Sequence, residues 1–296
     1  MVLLQYLSQR YHGFTAVPVT EVPWFYYSTT VLLRYHGFTT VPWFYCSTCH
    51  SGTMVLLQYL SQRYHGFTAV PRFYCSSPRV RGLSFREGDI ASSYNVHRRS
   101  AITCPGNSCL WPKSVDGFVY VPYIISPQYG KYLITIEMGM LDILLKTCVK
   151  FVPRSHETNY LDIQPSCWSF LGMTEGPQPL SLQSPGCMWS GIVSHELMHA
   201  LGFVHEQSRS DRDRHVSIIW ENIMKGQKHN FKKYQTNNLN TVYDYGSIMH
   251  YGRYAFSEDG GPTIIPKPDP NTPIGQRDGP SVLDIQKINR LYECGT

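Results

Sequence analysis

A domain that mixes helices with strands is what this 296-residue chain predicts, and three stretches carry the prediction. Residues 115–125 alternate and are rich in aromatic and β-branched side chains, the pattern of a half-buried strand. Residues 132–147 set Leu133, Ile136, Met140, Ile143 and Leu144 on one helical stripe, which packs as core. Ser281-Val282-Leu283-Asp284 has the form of a capping box ahead of a last helix carrying Ile285, Ile288 and Leu291.

The beginning of the chain is of a different kind. Residues 1–18 recur letter for letter at 54–71, and a shortened copy occupies 31–42. The three YHGFT copies start at 11, 35 and 64, spacings of 24 and 29, so no regular solenoid results. Identity over eighteen residues points to a recent duplication or a faulty gene model, and low order is expected through about residue 77. The apolar run at 2–7 is short, is interrupted by Gln5 and lacks a basic segment before it, so it is a poor secretory signal. Cys46, Cys49 and His50 match a haem-attachment spacing, but they sit in this irregular repeat and are set aside.

Charge divides at the same place. Residues 1–99 hold nine Arg, no Lys and three acids, net +6, which leaves −1 for 100–296 (17 basic against 18 acidic). The later part therefore has no basic field to attract nucleic acid, and no such partner is expected. No run of eighteen apolar residues occurs, so no membrane span is expected either.

Within the later part, further strands are expected at 151–152 and 160–164, and helices at 192–201 and 221–233. Gly139, inside the first helix, should weaken it by roughly 1 kcal/mol relative to Ala. At 197 residues (296 − 99) this part can bury a full core.

The chemistry concentrates in residues 194–213, SHELMHALGFVHEQSRSDRD. Helical residues four apart lie on one face, so His195 and His199 present two imidazoles to one point, with Glu196 beside them. A catalytic zinc takes three protein ligands and keeps a fourth position for water. Gly202 sits where the helix can end in a left-handed residue and the chain can turn back, and His205 is the natural third ligand. This pattern, H-E-x-x-H-x-x-G-x-x-H, is the metzincin signature. It predicts a Met-containing turn beneath the metal, and Ser247-Ile248-Met249-His250-Tyr251 begins 42 residues after His205 (247 − 205). His156, His215, His229 and His250 have no comparable company and are expected to be surface or core residues.

The run from His195 to Asp213, with Glu206 after the third His, and the S-I-M-H-Y turn closely resemble the astacin family. The likeness covers roughly 100–296 and is strongest from Gly186 onward. It implies a two-lobed α+β fold, with a twisted, mostly parallel sheet and helices above a cleft and an irregular lobe with the C-terminal helix below. It implies one zinc ion on His195, His199 and His205, Glu196 as general acid and base, and Tyr251 as a group that leaves the zinc and binds the oxyanion. Met249 would pack beneath the metal.

Six cysteines lie in this part, and six allow fifteen pairings. The resemblance narrows them to Cys104–Cys109, Cys148–Cys294 and Cys167–Cys187. Phe85-Arg86-Glu87-Gly88-Asp89-Ile90 resembles the astacin pro-segment motif, whose aspartate takes the open zinc position; Asp89 would be the latency switch. On that reading residues 1–77 are the irregular repeat, 78–99 the pro-segment and 100–296 the peptidase domain. A trypsin-like protease would cut at Arg98-Arg99, and the new terminus at Ser100 would fold toward Glu206. Cys167-Trp168-Ser169-Phe170 resembles the rim strand that holds extended substrate, whereas 172–176 follows the family less faithfully. Two residues follow Cys294, and no appended module is expected.

The implied function is a secreted, monomeric zinc endopeptidase made as a zymogen. It would act on extracellular protein, after storage in a secretory granule or directly. The Cys104/Cys109 spacing resembles the six-cysteine branch that includes fish hatching enzymes, which implies egg-envelope proteins as substrate. The alternatives are a protease of other extracellular matrix, or an inactive zinc-binding interaction module.

Overall fold

The computed structural model describes residues 14–16, 25–27, 83–93, 107–165, 167–182 and 187–295. The chain divides into two units, residues 1–67 and 68–296. In the first, strand β1 (Phe14–Ala16) pairs antiparallel with β2 (Phe25–Tyr27). The expectations for the repeats, Cys46, Cys49 and His50 otherwise lie outside the described residues, as do those for Arg98, Arg99, Ser100 and Cys104.

The second unit is built on a seven-stranded sheet. Its strands are β3 (Leu83–Arg86), β4 (Ile90–Ser93), β5 (Val119–Ile125), β6 (Val149–Pro153), β7 (Tyr160–Gln164), β8 (Cys167–Phe170) and β9 (Pro177–Leu182), in spatial order β3-β4-β8-β9-β7-β5-β6. Pairs β4–β8, β5–β6, β5–β7 and β7–β9 are parallel; β3–β4 and β8–β9 are antiparallel. In β7, Leu161 and Ile163 are fully buried while their neighbours are not, the period-two pattern of a sheet with one face on the core.

Two helices run against the sheet, α1 (Leu133–Leu144) and α2 (Ser190–Ala200). Gly139 explains how closely they meet. A Cβ there would stand 2.6 Å from the Cβ of Val193 and 2.8 Å from the carbonyl oxygen of Ser190, and Ser194 Oγ donates to the Gly139 carbonyl at 3.0 Å. The residue that weakens α1 locally is the one that lets α2 approach.

After α2 the chain is mostly irregular. β10 (Val216–Ile218) pairs antiparallel with β11 (Ile264–Pro266), and α3 (Val282–Leu291) closes the chain. The capping box forms: Ser281 Oγ accepts from Asp284 N at 2.9 Å, and Ser281 N donates to Asp284 Oδ2 at 3.0 Å. Val216, Ile223, Phe231, Tyr243, Tyr251 and Ile264 make a second apolar core, so the domain is two-lobed α+β. Cys148 is joined to Cys294. Cys109 and Cys187 are also disulfide-bonded; the side chains of their expected partners, Cys104 and Cys167, lie outside the described set.

Two expected elements differ. The strand expected over 115–125 begins only at Val119, because Asp116 and Gly117 form a turn: Gly117 has φ 84° and Asp116 Oδ1 accepts from Phe118 N at 3.0 Å. The helix expected over 221–233 does not form. Two short 3-10 turns, Trp220–Asn222 and Lys228–Phe231, stand in its place. Between them Ile223 bridges to Ser257 and Gly226 takes φ 84°, a left-handed residue through which no right-handed helix propagates.

Candidate metal centre

Helix α2 carries His195 and His199 on one face, ring centroids 4.7 Å apart. It ends as the sequence pattern requires: Gly202 has φ 103°, its N–H donates to the His199 carbonyl at 2.9 Å, and Phe203 N reaches back to Met198 O at 3.0 Å. That reversal brings His205 to 5.1 Å from His195 and 4.8 Å from His199, centroid to centroid. From the other side the β3–β4 hairpin inserts Asp89. Its Oδ2 lies 3.3 Å from His195 Nε2 and 3.4 Å from His205 Nε2, and its Oδ1 3.5 Å from His199 Nε2. Burial opposes the charged carboxylate, but the three imidazoles around it, His205 first, outweigh it and hold Asp89 well below the usual carboxylate range.

The donor set fits a metal cation. His195 Nδ1 lies 2.9 Å from the Ile248 carbonyl and His199 Nδ1 2.7 Å from the Phe203 carbonyl. A carbonyl only accepts, so each Nδ1 carries the proton and each Nε2 presents a lone pair. Those lone pairs face an ionised carboxylate, which has no proton to donate. His199 Nε2, His205 Nε2 and Asp89 Oδ1 are buried without a hydrogen-bond partner, and the four ligand atoms lie within 4.8 Å of one another. Acceptors converging without a proton between them are what a divalent ion satisfies.

Glu196 follows His195 on the helix and is 3% exposed, with Oε2 unpartnered. Burial, and then the Asp89 carboxylate, push its carboxyl well above the usual range. The Ser247–Tyr251 turn lies beneath. It hangs on the capping-box aspartate of α3: Ser247 Oγ donates to Asp284 Oδ1 at 2.6 Å and Ile248 N to Asp284 Oδ2 at 2.8 Å. Met249 is 2% exposed, and the Tyr251 ring lies 4.5 Å from that of His205.

Glu206 is buried rather than a surface acid. It meets Lys287 Nζ at 2.6 Å, Arg209 Nη1 at 3.1 Å and Asp244 N at 2.8 Å. Strand β8 has its outer edge occupied by β4 in parallel register, Ile90 opposite Ser169 and Ala91 opposite Phe170. His156 and His229 are exposed and His215 half-buried, while His250 is fully buried, all four outside the cluster.

Sequence reasoning overlooked three contributors. Glu87, 1% exposed, accepts from His205, and Asn230 Oδ1 accepts from Gly88 N at 3.2 Å. Arg277 donates to the His250 carbonyl at 3.0 Å and is close enough to feel Asp89 and Glu196. Each acts over a long chain separation with no local pattern; only Glu87, inside the motif that flags Asp89, carried a signal.

The family model of the astacin peptidases matches residues 108–293. High choriolytic enzyme 1 of Oryzias latipes is 51% identical over 212 residues, 70% of this chain and 77% of that protein. Embryonic protein UVS.2 of Xenopus laevis is 51% identical over 215 residues, 72% of this chain and 41% of that protein. The solved structure of the Oryzias enzyme, described as a hatching enzyme zinc-protease, superposes with a TM-score of 0.64 at 52% identity, covering 66% of this chain and all of that one. Metal-fitting geometry, matching fold and extensive identity converge, and the chain belongs to the astacin family as a zinc metalloendopeptidase.

Proposed function

We propose that the protein is secreted as a zymogen and, once processed, hydrolyses extracellular proteins, with egg-envelope proteins the favoured substrate. Residues 78–99 are the pro-segment, cut at Arg98-Arg99 by a trypsin-like protease, and residues 100–296 the monomeric peptidase domain. The substrate is inferred from the relatives named as choriolytic. One observation carries the reading: His195, His199, His205 and Asp89 converge on a single point, with Glu196 buried alongside.

His195, His199 and His205 hold the zinc, which when bound polarises the scissile carbonyl and activates water. Glu196 accepts a proton at its unpartnered carboxylate oxygen and returns it to the leaving amine. Tyr251, freed from the pro-segment, offers its hydroxyl to the oxyanion. Met249 packs as the floor, and Glu206 receives the new terminus at Ser100. Asp89 keeps the centre closed until the pro-segment leaves, and Cys104–Cys109 and Cys167–Cys187 complete the disulfides.

The test uses full-length protein, treated with trypsin and assayed on a peptide substrate. Processing should switch activity on, a chelator should abolish it, and Glu196→Ala should lower it by roughly 10²- to 10⁴-fold. A Glu196→Ala enzyme as fast as wild type removes the proposed base. Faster solubilisation of isolated egg envelope than of collagen supports the envelope role; the reverse order assigns the enzyme to other matrix.

A further inference from the structure

The three imidazoles are not held alike. His195 and His199 donate their Nδ1 protons to carbonyls of residues 248 and 203, both in the later part of the chain. His205 turns its Nδ1 to the hairpin instead. Glu87 Oε2 lies 2.7 Å from that nitrogen and also accepts the His205 backbone N–H at 3.0 Å. Among the described contacts, these are the ones that orient the His205 ring from behind.

The hairpin is shaped to make them. Glu87 sits at φ 52° and Gly88 at φ 83°, and a Cβ on Gly88 would be 2.8 Å from the Phe256 ring. A non-glycine residue in the left-handed region costs about 1–3 kcal/mol and persists only where its surroundings impose it. Here the imposed turn brings Glu87 and Asp89, two residues apart, to opposite sides of the same imidazole. Tyr251 anchors the turn by donating its hydroxyl to the Glu87 carbonyl, and Asn230 by accepting from Gly88.

We propose that Glu87 is a second latch: a positioning residue that holds His205 in its metal-binding tautomer from behind while Asp89 closes the front. A carboxylate on the non-ligating N–H of a ligand histidine fixes the ring and strengthens its other nitrogen as a donor. The pro-segment then retains zinc as well as blocking it. When it leaves, His205 alone loses its partner, and the processed enzyme holds its metal less tightly than the zymogen does. The inference rests on the pro-segment reading above.

Zinc-loaded full-length zymogen, mixed with an excess of a chromogenic chelator, reports metal release by absorbance. Proton NMR of the same sample reports hydrogen-bonded imidazole N–H groups. Wild type should show three such signals from the centre. Glu87→Ala should keep two and release zinc roughly 10- to 100-fold faster, the usual cost of losing such a partner. Glu87→Gln retains an acceptor and should restore both the third signal and most of the retention. A Glu87→Ala zymogen with all three signals and wild-type release overturns the proposal. Asp89→Ala separates the two ideas, because it should yield peptidase activity without processing. If it stays inert while the Glu87→Ala effects persist, the latency reading fails and the positioning role stands.

Discussion

In the sheet lobe, Leu161, Ile163, Leu180 and Leu182 have no exposed surface, and two helices close through a glycine. Comparable depths of the lower lobe hold charge: Glu206, Arg209, Arg212, Asp284 and Lys287 are all at most 6% exposed. The difference follows from regularity. Strands and helices satisfy their own peptide groups, so apolar side chains can fill the space between them. The irregular chain after Gly202 leaves carbonyls unpaired, and buried cations take them: Arg209 donates to the Thr241 and Val242 carbonyls and Arg212 to that of Gln207. Such charges are tolerable only in pairs, which Glu206 and its two cationic partners provide. The sheet lobe holds its shape by apolar burial, and the lower lobe adds to its smaller apolar core the mutual satisfaction of buried polar groups.

The sharpest way to break this contrast is Glu206→Ala. It strands Lys287, takes from Arg209 one of its two carboxylate partners, and should cost about 3–5 kcal/mol in denaturant unfolding, at least as much as Leu180→Ala in the sheet lobe at about 2–5 kcal/mol. A loss below about 1 kcal/mol would show that the lower lobe does not depend on its buried ions. Next comes pH. His250 accepts from the Tyr243 hydroxyl and donates to the Tyr251 carbonyl, and burial pushes its pKa from 6.5 down to about 4. The unfolded chain therefore takes up the proton first as pH falls. The contribution is whole above 6.5, declines from there to about 4, and amounts to about 3 kcal/mol at most. His250→Gln should flatten stability against pH across that window; an unchanged slope would place the sensitivity elsewhere. The smallest effect tests the sheet lobe. Gly139→Ala gains about 1 kcal/mol of helix propensity but pushes Val193 and Ser190 of α2 away from α1, for a net loss of about 1–3 kcal/mol in thermal unfolding. A stabilised variant would mean that the helices are not closely packed.

Legibility divided along the same line. In α2, the four-residue spacing of His195 and His199, the break at Gly202 and the return of His205 are local geometry, so the sequence pattern announced their convergence. The Ser281–Asp284 box was equally readable, because both partners lie within one turn. The helix expected over 221–233 fails at Gly226, whose left-handed φ stops it, and at Ile223, whose bridge to Ser257 lies 34 residues away and outside that window (257 − 223). The contacts of Glu87 with His205 and of Glu206 with Lys287 were invisible for a plainer reason: they span 118 and 81 residues. No window along the chain contains both ends.

The Cys148–Cys294 bond closes a covalent ring of 146 residues of chain, which in the chain-entropy view removes about 5 kcal/mol of freedom from the unfolded ensemble. His195, Glu196, His199, His205, Met249 and Tyr251 all fall inside that ring, and Asp89 does not. The cut proposed at Arg98-Arg99 would therefore sever Asp89 from the loop that carries the imidazoles. The imidazoles are tethered at both ends of their segment, and Asp89 lies outside that tether.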